Sequence, residues 1–271
     1  MDDDFASGVL VEAVRRVLTA GPVPAGDARV PLAAKRELLA GHRPLALMRA
    51  GAAVIREPAG PLLTALCAAS GPADLFERWT RLERFAHSRH RVVVPQTGVD
   101  RLWADHRGPP GAPPQPGENA LILGLLTGLL VETGALGLTV TAGGHPVYRD
   151  GVFQEPSGDL AHWFFTWSAW EKKPSGEPPS ADAARRLLAA DPARRWTLRD
   201  LAGAVGVPAR TLQRRLHPDG FTGLLAAVRA DAAATLLRAG PLPLGLIGFT
   251  CGYADQPHFT REFRRRTAMT P

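Results

Sequence analysis

Gly252-Tyr253-Ala254-Asp255-Gln256-Pro257-His258-Phe259-Thr260-Arg261-Glu262-Phe263-Arg264-Arg265-Arg266 reads as a glycine turn opening a short helix, apolar on one side and arginine-rich on the other. Phe259 and Phe263 recur at the i, i+4 spacing of one helical face. Asp255 is placed to cap the helix, and Pro257 lies just inside its start, where proline is tolerated. That leaves Gln256, His258, Arg261 and Glu262 facing outward, with Arg264, Arg265 and Arg266 placed for phosphate.

A second segment has the same design: Gly206-Val207-Pro208-Ala209-Arg210-Thr211-Leu212-Gln213-Arg214-Arg215-Leu216. Ahead of it, Thr197-Leu198-Arg199-Asp200 is a capping-box-like helix start, and Leu198, Leu201, Ala202 and Val205 form a buried stripe. Gly206 supplies the left-handed conformation of a tight helix–helix corner, and Leu212 and Leu216 anchor the next helix. Arg210, Gln213 and Arg214 then face outward, and Arg and Gln can pair with guanine and adenine edges in the major groove. Before the closing segment, Pro243 starts a helix over 244–251 with Leu246, Ile247 and Thr250 at core spacing. A helix over 222–239, through Leu225, Val228, Ala232 and Leu236, ties the two units together. Two such units predict a chain that meets duplex DNA at two places, with successive major-groove faces about 34 Å apart.

Charge supports this division. Residues 180–271 carry fourteen arginines against seven acidic residues, whereas residues 1–179 carry eighteen basic and nineteen acidic ones. The surplus behind the net charge of +6 therefore belongs to the C-terminal third, as expected when one domain meets a polyanion. Only Lys35, Lys172 and Lys173 are lysines, so arginine is the default cation and any single one can be plain surface.

At 271 residues, two domains are expected. A Pro/Ser/Gly stretch places the boundary, giving a regulatory domain over 1–172, a linker over 173–180 and a DNA-binding domain over 181–271. A proline-rich stretch over 108–117 reads as a surface loop. No run approaches a membrane span, and the most apolar stretch, 120–131, is broken by Gly124, Thr127 and Gly128. The acidic start, Met1-Asp2-Asp3-Asp4, is unlike a secretory signal, and Cys67 and Cys251 are too few and too far apart for a disulfide framework or zinc site. The expected compartment is a reducing cytoplasm.

The run from Leu187 to Pro271 resembles the C-terminal DNA-binding domain of AraC-type transcriptional regulators. The matching pieces are 198–216, Leu225-(x3)-Arg229-(x2)-Ala232 leading to Leu236-Leu237, Gly252-Tyr253-(x)-Asp255-(x3)-Phe259-(x3)-Phe263, and the closing Thr270-Pro271. The resemblance implies base reading by Arg210, Gln213 and Arg214 in the first unit and by Gln256, His258 and Arg261 in the second. Arg199, Arg215, Arg264 and Arg265 are the expected phosphate contacts. The alternative reading makes Gln213 and His258 plain surface residues, and any of the arginines a phosphate contact. Ala268 stands where the family usually has glycine, and members commonly continue past the position of Pro271.

Before the linker, helical periodicity appears over 8–18, 31–40, 44–55, 61–69, 73–87 and 118–132, and extended runs over 91–94, 100–104, 138–142 and 161–168. The fold class is thus mixed and mainly α: an N-terminal α+β domain with a small antiparallel sheet, and an all-α C-terminal domain of two helix-turn-helix units joined by a long helix. Residues from Leu62 to about Gly144 resemble the ligand-binding-type N-terminal domain of a subset of AraC-type regulators. That resemblance implies a small-molecule effector. Candidate pocket residues are Arg78, Trp79, Phe85, Trp103, Trp163, Phe165 and Trp167, although the favoured reading makes the aromatics core or a cover on the linker side of the DNA-binding domain.

His87-Ser88-Arg89-His90 spaces two histidines i, i+3 with no third ligand in sight, so no metal and no cofactor are expected, and the segment reads as a helix end with cations near its carbonyls. Gly143-Gly144-His145-Pro146 reads as a turn. Expected partners are double-stranded DNA and a small-molecule effector, with RNA polymerase and a second copy of the chain as further ones and no membrane. A rival reading makes residues 1–179 purely a dimerisation or polymerase-contact module. An enzyme of the DNA-repair type, which sets a zinc–cysteine centre beside an AraC-like domain, is disfavoured because two separated cysteines cannot build that centre.

Overall fold

The computed structural model describes residues 4–19, 29–57, 60–171, 181–216, 218–240 and 242–271. The chain divides into two compact units, Met1–Lys172 and Lys173–Pro271. The linker expected over 173–180 lies outside the described residues.

The first unit opens with β1 (Phe5–Ser7) and α1 (Gly8–Thr19), then β2 (Arg29–Pro31), which pairs antiparallel with β1, and α2 (Leu32–Leu39). Next come α3 (Pro44–Ala53), a 3₁₀ turn at Val54–Arg56, α4 (Gly60–Cys67) and α5 (Pro72–Ala86). The hairpin of β3 (Arg91–Thr97) and β4 (Arg101–Arg107) precedes α6 (Pro116–Thr133). The rest is β5 (Ala135–Leu136), β6 (Thr139–Ala142), β7 (His145–Arg149), β8 (Val152–Phe153), β9 (His162–Thr166) and β10 (Ala169–Trp170).

Six strands form one antiparallel sheet in the order β3-β4-β9-β6-β7-β8, larger than the small sheet expected. Alternation along β4 buries Leu102, Ala104 and His106, and register pairs Leu102 with Phe165 and Ala104 with Trp163 on β9. Val140 and Ala142 of β6 oppose the same two aromatics from the other side. Trp163, Phe165 and the buried Trp167 therefore belong to the sheet's core face. The segment read as a turn at 143–146 is a turn only at Gly143-Gly144, since His145–Arg149 is strand β7. Pro146 disguised it. It is accommodated because β8 pairs only with Tyr148 and Arg149, leaving Pro146 one neighbouring strand and a shifted register.

Helix α6 is apolar on nearly every side and buried from Glu118 to Leu130 except at the half-buried Ile122, as a central helix must be. It crosses α3 at backbone contact distance, with Gly51 set against Leu121 and Gly124 against Met48. Gln115 and Glu118 close a capping box at its start, with Gln115 N donating to Glu118 Oε2 at 2.9 Å.

The second unit comprises α7 (Ala181–Ala190), α8 (Leu198–Val205), α9 (Ala209–Arg215), α10 (Gly220–Ala239), α11 (Leu244–Thr250) and α12 (Gln256–Thr267). Its apolar residues form two cores. Leu201, Val205, Leu212 and Leu216 gather around Val228 of α10, while Ile247, Phe259 and Phe263 gather around Ala233 one turn further along it. On length and composition α10 could cross a membrane, contrary to the expectation that no run approaches a span. In this unit it is the shared spine of both cores, and its Arg229 donates to Pro192 O (3.0 Å) and Arg194 O (3.1 Å) in the loop before α8.

Candidate nucleic-acid interface and cavity

Both helix corners are built from the residues that the spacing singled out. Thr197 Oγ1 accepts from Asp200 N at 3.1 Å, while Asp200 Oδ2 accepts from Thr197 N at 3.1 Å, completing the capping box of α8. Gly206 closes α8 in the left-handed region at φ 75°. Gly252 turns the second corner at φ 84°, and Asp255 Oδ1 caps α12 by accepting from His258 N at 2.6 Å.

Leu212 on α9 and Phe259 and Phe263 on α12 are buried, which fixes the outward side of each helix. Arg210 and Arg214 stand exposed on one face of α9, i and i+4 apart. Gln213 is exposed too, but its amide lies over the start of α10, 3.1 Å from where a Cβ on Gly220 would sit. On α12, Arg261 is exposed opposite the two phenylalanines. Gln256 is exposed in the first turn but is rotated from Arg261 by about 140° at 100° per residue. His258 is half-buried: Nδ1 accepts from Ala254 N at 3.2 Å, and its ring packs edge-on against Tyr253 at 5.6 Å. It holds the turn together and so offers only its remaining nitrogen outward.

The phosphate candidates Arg199, Arg215, Arg264 and Arg265 are all exposed. Arg265 donates to Glu262 Oε2 at 2.7 Å, an exposed pair that a phosphate would displace at small cost. Arg266 differs from the sequence expectation, because Nη2 donates to Gly223 O at 2.9 Å and docks α12 on α10.

A family model described as a helix-turn-helix domain matches residues 201–271. The HTH-type transcriptional regulator RipA of Corynebacterium glutamicum is 38% identical over 101 residues, 36% of this chain and 30% of that protein. The urease operon transcriptional activator of Escherichia coli is 31% identical over 97 residues, 35% of this chain and 33% of its own length. An AraC-like transcription regulator of Streptomyces antibioticus is 32% identical over 96 residues, 34% and 32% of the two chains. The C-terminal unit is an AraC-type helix-turn-helix domain. The chain spans about a third of the length of these relatives. In this AraC-type domain Ala268 takes φ 59°, the left-handed C-cap conformation that explains the glycine usual there.

Outside the AraC-type domain, the first unit holds a cavity of about 830 Å³ including its open mouth. Most of its wall is aliphatic, from Leu10, Val14, Leu38, Leu62, Leu66 and Leu125, and one end is polar, from Lys35, Glu83, His87, His90 and His106. Of the expected pocket residues only Trp79 lines it. Arg78 is locked to Asp74 (2.7 Å) and Ala65 O (2.8 Å) at the back of α5, and Phe85 lies under the Arg84 guanidinium. Trp103 is 45% exposed on the outer sheet face, stacked on Phe164, while Trp163, Phe165 and Trp167 are core. Aromatic density marked the sheet; the cavity is walled instead by aliphatic helix faces.

The segment does end α5, with His87 as its C-cap, but the role expected of its histidines as cations is corrected. Tertiary contacts bring Glu118 beside them, with Oε1 at 3.8 Å from His87 Nε2 and 3.7 Å from His90 Nδ1, and all three residues are buried. Lys35 Nζ stands 3.4 Å from the same oxygen. The histidines are not cations: burial lowers His87, takes His90 down to about 4, and takes His106, hydrogen-bonded to Asn119 Oδ1 at 2.8 Å, down to about 3. Glu118 is held far below the usual carboxylate range by His87, Lys35 and the Gln115 amide, against the opposing effect of burial. Its signal was present in the sequence as the acidic third residue of a Gln-Pro-Gly-Glu helix start.

Acidification from about pH 7 to about pH 5 is expected to lower the thermal stability of this unit. His90 and His106 take up protons near 6.5 when unfolded but only near 4 and 3 when folded, so the stability present above 6.5 drains as pH falls. Glu83, raised by burial to about 7, opposes this by favouring the fold as pH drops toward 4.5, but it is one group against two. Melting temperature followed across this range checks the sign. A His106→Gln variant should flatten the profile, and an unchanged profile would remove His106 as its source.

Cys67 and Cys251 lie in separate units with free thiols, pushed by burial up to about 11 and about 12.

Proposed function

We propose that the protein is a sequence-specific DNA-binding transcriptional regulator. Its AraC-type domain reads duplex DNA through α9 and α12, and its N-terminal unit binds a small-molecule effector in the cavity. The observation that carries the DNA reading is the state of Arg210, Arg214 and Arg261. Each stands exposed opposite the core anchors of its helix and makes no hydrogen bond or ion pair among the described residues. In contrast, Arg229 and Arg266 are spent on backbone carbonyls. Free guanidiniums on the second helix of a helix-turn-helix suit bidentate contacts to guanine O6 and N7.

Arg210→Ala and Arg261→Ala are each expected to lower affinity for the cognate site by about 1–3 kcal/mol and to relax base preference at one position. Arg264→Ala should weaken all sequences alike and flatten the salt dependence. Binding titrations on cognate and scrambled duplexes separate the two behaviours. If Arg210→Ala or Arg261→Ala weakens both duplexes equally, that residue is a phosphate contact and the base-reading assignment is wrong.

Control by an effector requires a ligand that binds one arrangement of the two units better than another. The cavity supports that reading over a purely dimerising or polymerase-contacting module, because a packing module has no need of a polar pole inside an apolar void. The proposed location is the cytoplasm and the proposed role is non-catalytic.

A further inference from the structure

The polar pole of the cavity is built to donate hydrogen bonds. His87 Nδ1 accepts from two backbone amides, Arg89 N at 3.2 Å and His90 N at 3.0 Å. A ring nitrogen that accepts two N–H groups carries no proton, so the neutral imidazole is protonated at Nε2. His87 Nε2–H is thus a buried donor without a hydrogen bond among the described residues, since Glu118 Oε1 is 3.8 Å away. His90 is 1% exposed and neither ring nitrogen has a hydrogen-bond partner among the described residues, so it offers one donor and one acceptor. Lys35, buried on α2, adds an Nζ donor, its pKa lowered by burial against the opposing pull of Glu118. Lys35 Nζ, His90 Nδ1 and His87 Nε2 ring Glu118 Oε1 at 3.4, 3.7 and 3.8 Å, and that oxygen makes no hydrogen bond among the described residues. Buried groups left this open await a further partner.

A metal ion fits this pole poorly. A ligating imidazole normally donates its second nitrogen, whereas His87 would have to become an imidazolate to bind through Nε2. The His87 and His90 rings are stacked at 4.5 Å with planes only 16° apart, so their in-plane lone pairs do not converge. Positive charge is already supplied, because Lys35 and Arg36 (3.4 Å from Oε2) both face the Glu118 carboxylate. Glu83, the other carboxyl at this end, already accepts from Val92 N at 2.7 Å and is raised by burial to about 7.

Resting on the effector reading above, we propose that the cavity binds a small monocarboxylic acid with an apolar body. Its carboxylate is held by Lys35 Nζ and His87 Nε2–H, with His90 alongside, and its hydrocarbon lies against the aliphatic wall. The anion satisfies the donors that Glu118 alone leaves open.

The test uses the full chain, with thermal shift and calorimetric titration of octanoate, octanol, octylamine and zinc ion. Octanoate should raise the melting temperature saturably and bind at least about tenfold more tightly than octanol, the value of a charge-assisted hydrogen bond. Lys35→Met should abolish that preference and Lys35→Arg should restore part of it. If Lys35→Met does not fold, His87→Leu, which removes the donor and keeps the volume apolar, should narrow the same ratio. Equal binding of octanoate and octanol by the parent chain overturns the carboxylate assignment but leaves the cavity as a ligand site. Saturable stabilisation by zinc alone, lost in His90→Ala, overturns it in favour of a metal. No response to any probe by the folded chain overturns both this assignment and the effector reading, without touching the DNA interface.

Discussion

Replacing Gly252 by alanine is expected to destabilise the AraC-type domain by roughly 2–5 kcal/mol and to cost it specific DNA binding. Two independent effects add at this position. The residue adopts φ 84°, where a side chain carries a penalty of about 1–2 kcal/mol. A Cβ there would also press into the carbonyl oxygen of Pro192 and come within 2.7 Å of Arg229 Nε and Nη2, an overpacking term of about 1–3 kcal/mol. Arg229 cannot simply move aside, because it holds Pro192 O and Arg194 O and so ties α10 to the loop before α8. The side chain would wedge open the joint between the two cores, disturbing the spacing of α9 and α12. Gly206→Ala is the matched comparison: it shares the left-handed conformation at φ 75° but has no atom of the described residues within 4 Å of its Cβ. Denaturant unfolding should rank Gly252→Ala well below Gly206→Ala, and equal losses would mean that the close approach carries no energy.

Gly124→Ala should unfold or loosen the N-terminal unit, costing about 3 kcal/mol or more, the upper end for an overpacked core. Helix propensity alone would favour alanine by roughly 1 kcal/mol, so any loss isolates the steric term. An added Cβ would lie inside the carbonyl oxygen of Met48 and 2.7 Å from its Cα, all backbone that no rotamer change can clear. The reciprocal contact, Gly51 against the Leu121 carbonyl, prevents α3 from sliding away without opening a gap along α6. Loosening there also reaches the cavity, because Gly51, Leu121 and Leu125 are part of its wall. The melting temperature of the full chain, with proteolysis of the N-terminal unit as a second readout, checks this. A variant as stable and as protease-resistant as the parent would show that the two helices do not need so close a crossing.

Much of the C-terminal half was legible before any tertiary contact was known. Thr197 with Asp200, Gly206, Gly252 and Asp255 act through hydrogen bonds and dihedral angles spanning a few residues, and the structure uses each as the spacing implied. Leu212, Phe259 and Phe263 announced their burial by helical period. All six N-terminal helices and the strands around 91–97, 101–107, 139–142 and 162–166 were likewise visible as periodicity. Strand β7 was not, since Pro146 breaks the local signal and only the absence of a second neighbour at that position makes it acceptable.

The sites divide along the same physical line. A helix-turn-helix is encoded by short-range capping and spacing, so sequence alone determined that unit, its outward arginines and its spine helix. The cavity is a long-range object. Its pole draws Lys35 from α2, His87 and His90 from the end of α5, His106 from β4 and Glu118 from α6, residues separated by up to 83 positions. Nothing in local period marks such a group. Aromatic content pointed to the sheet core instead, because bulky rings fill interiors whether or not a void lies nearby. Only the close glycine crossing of α3 and α6 and the packing of α2 and α5 beside them decided which polar side chains share one apolar space, and what kind of ligand that space can hold.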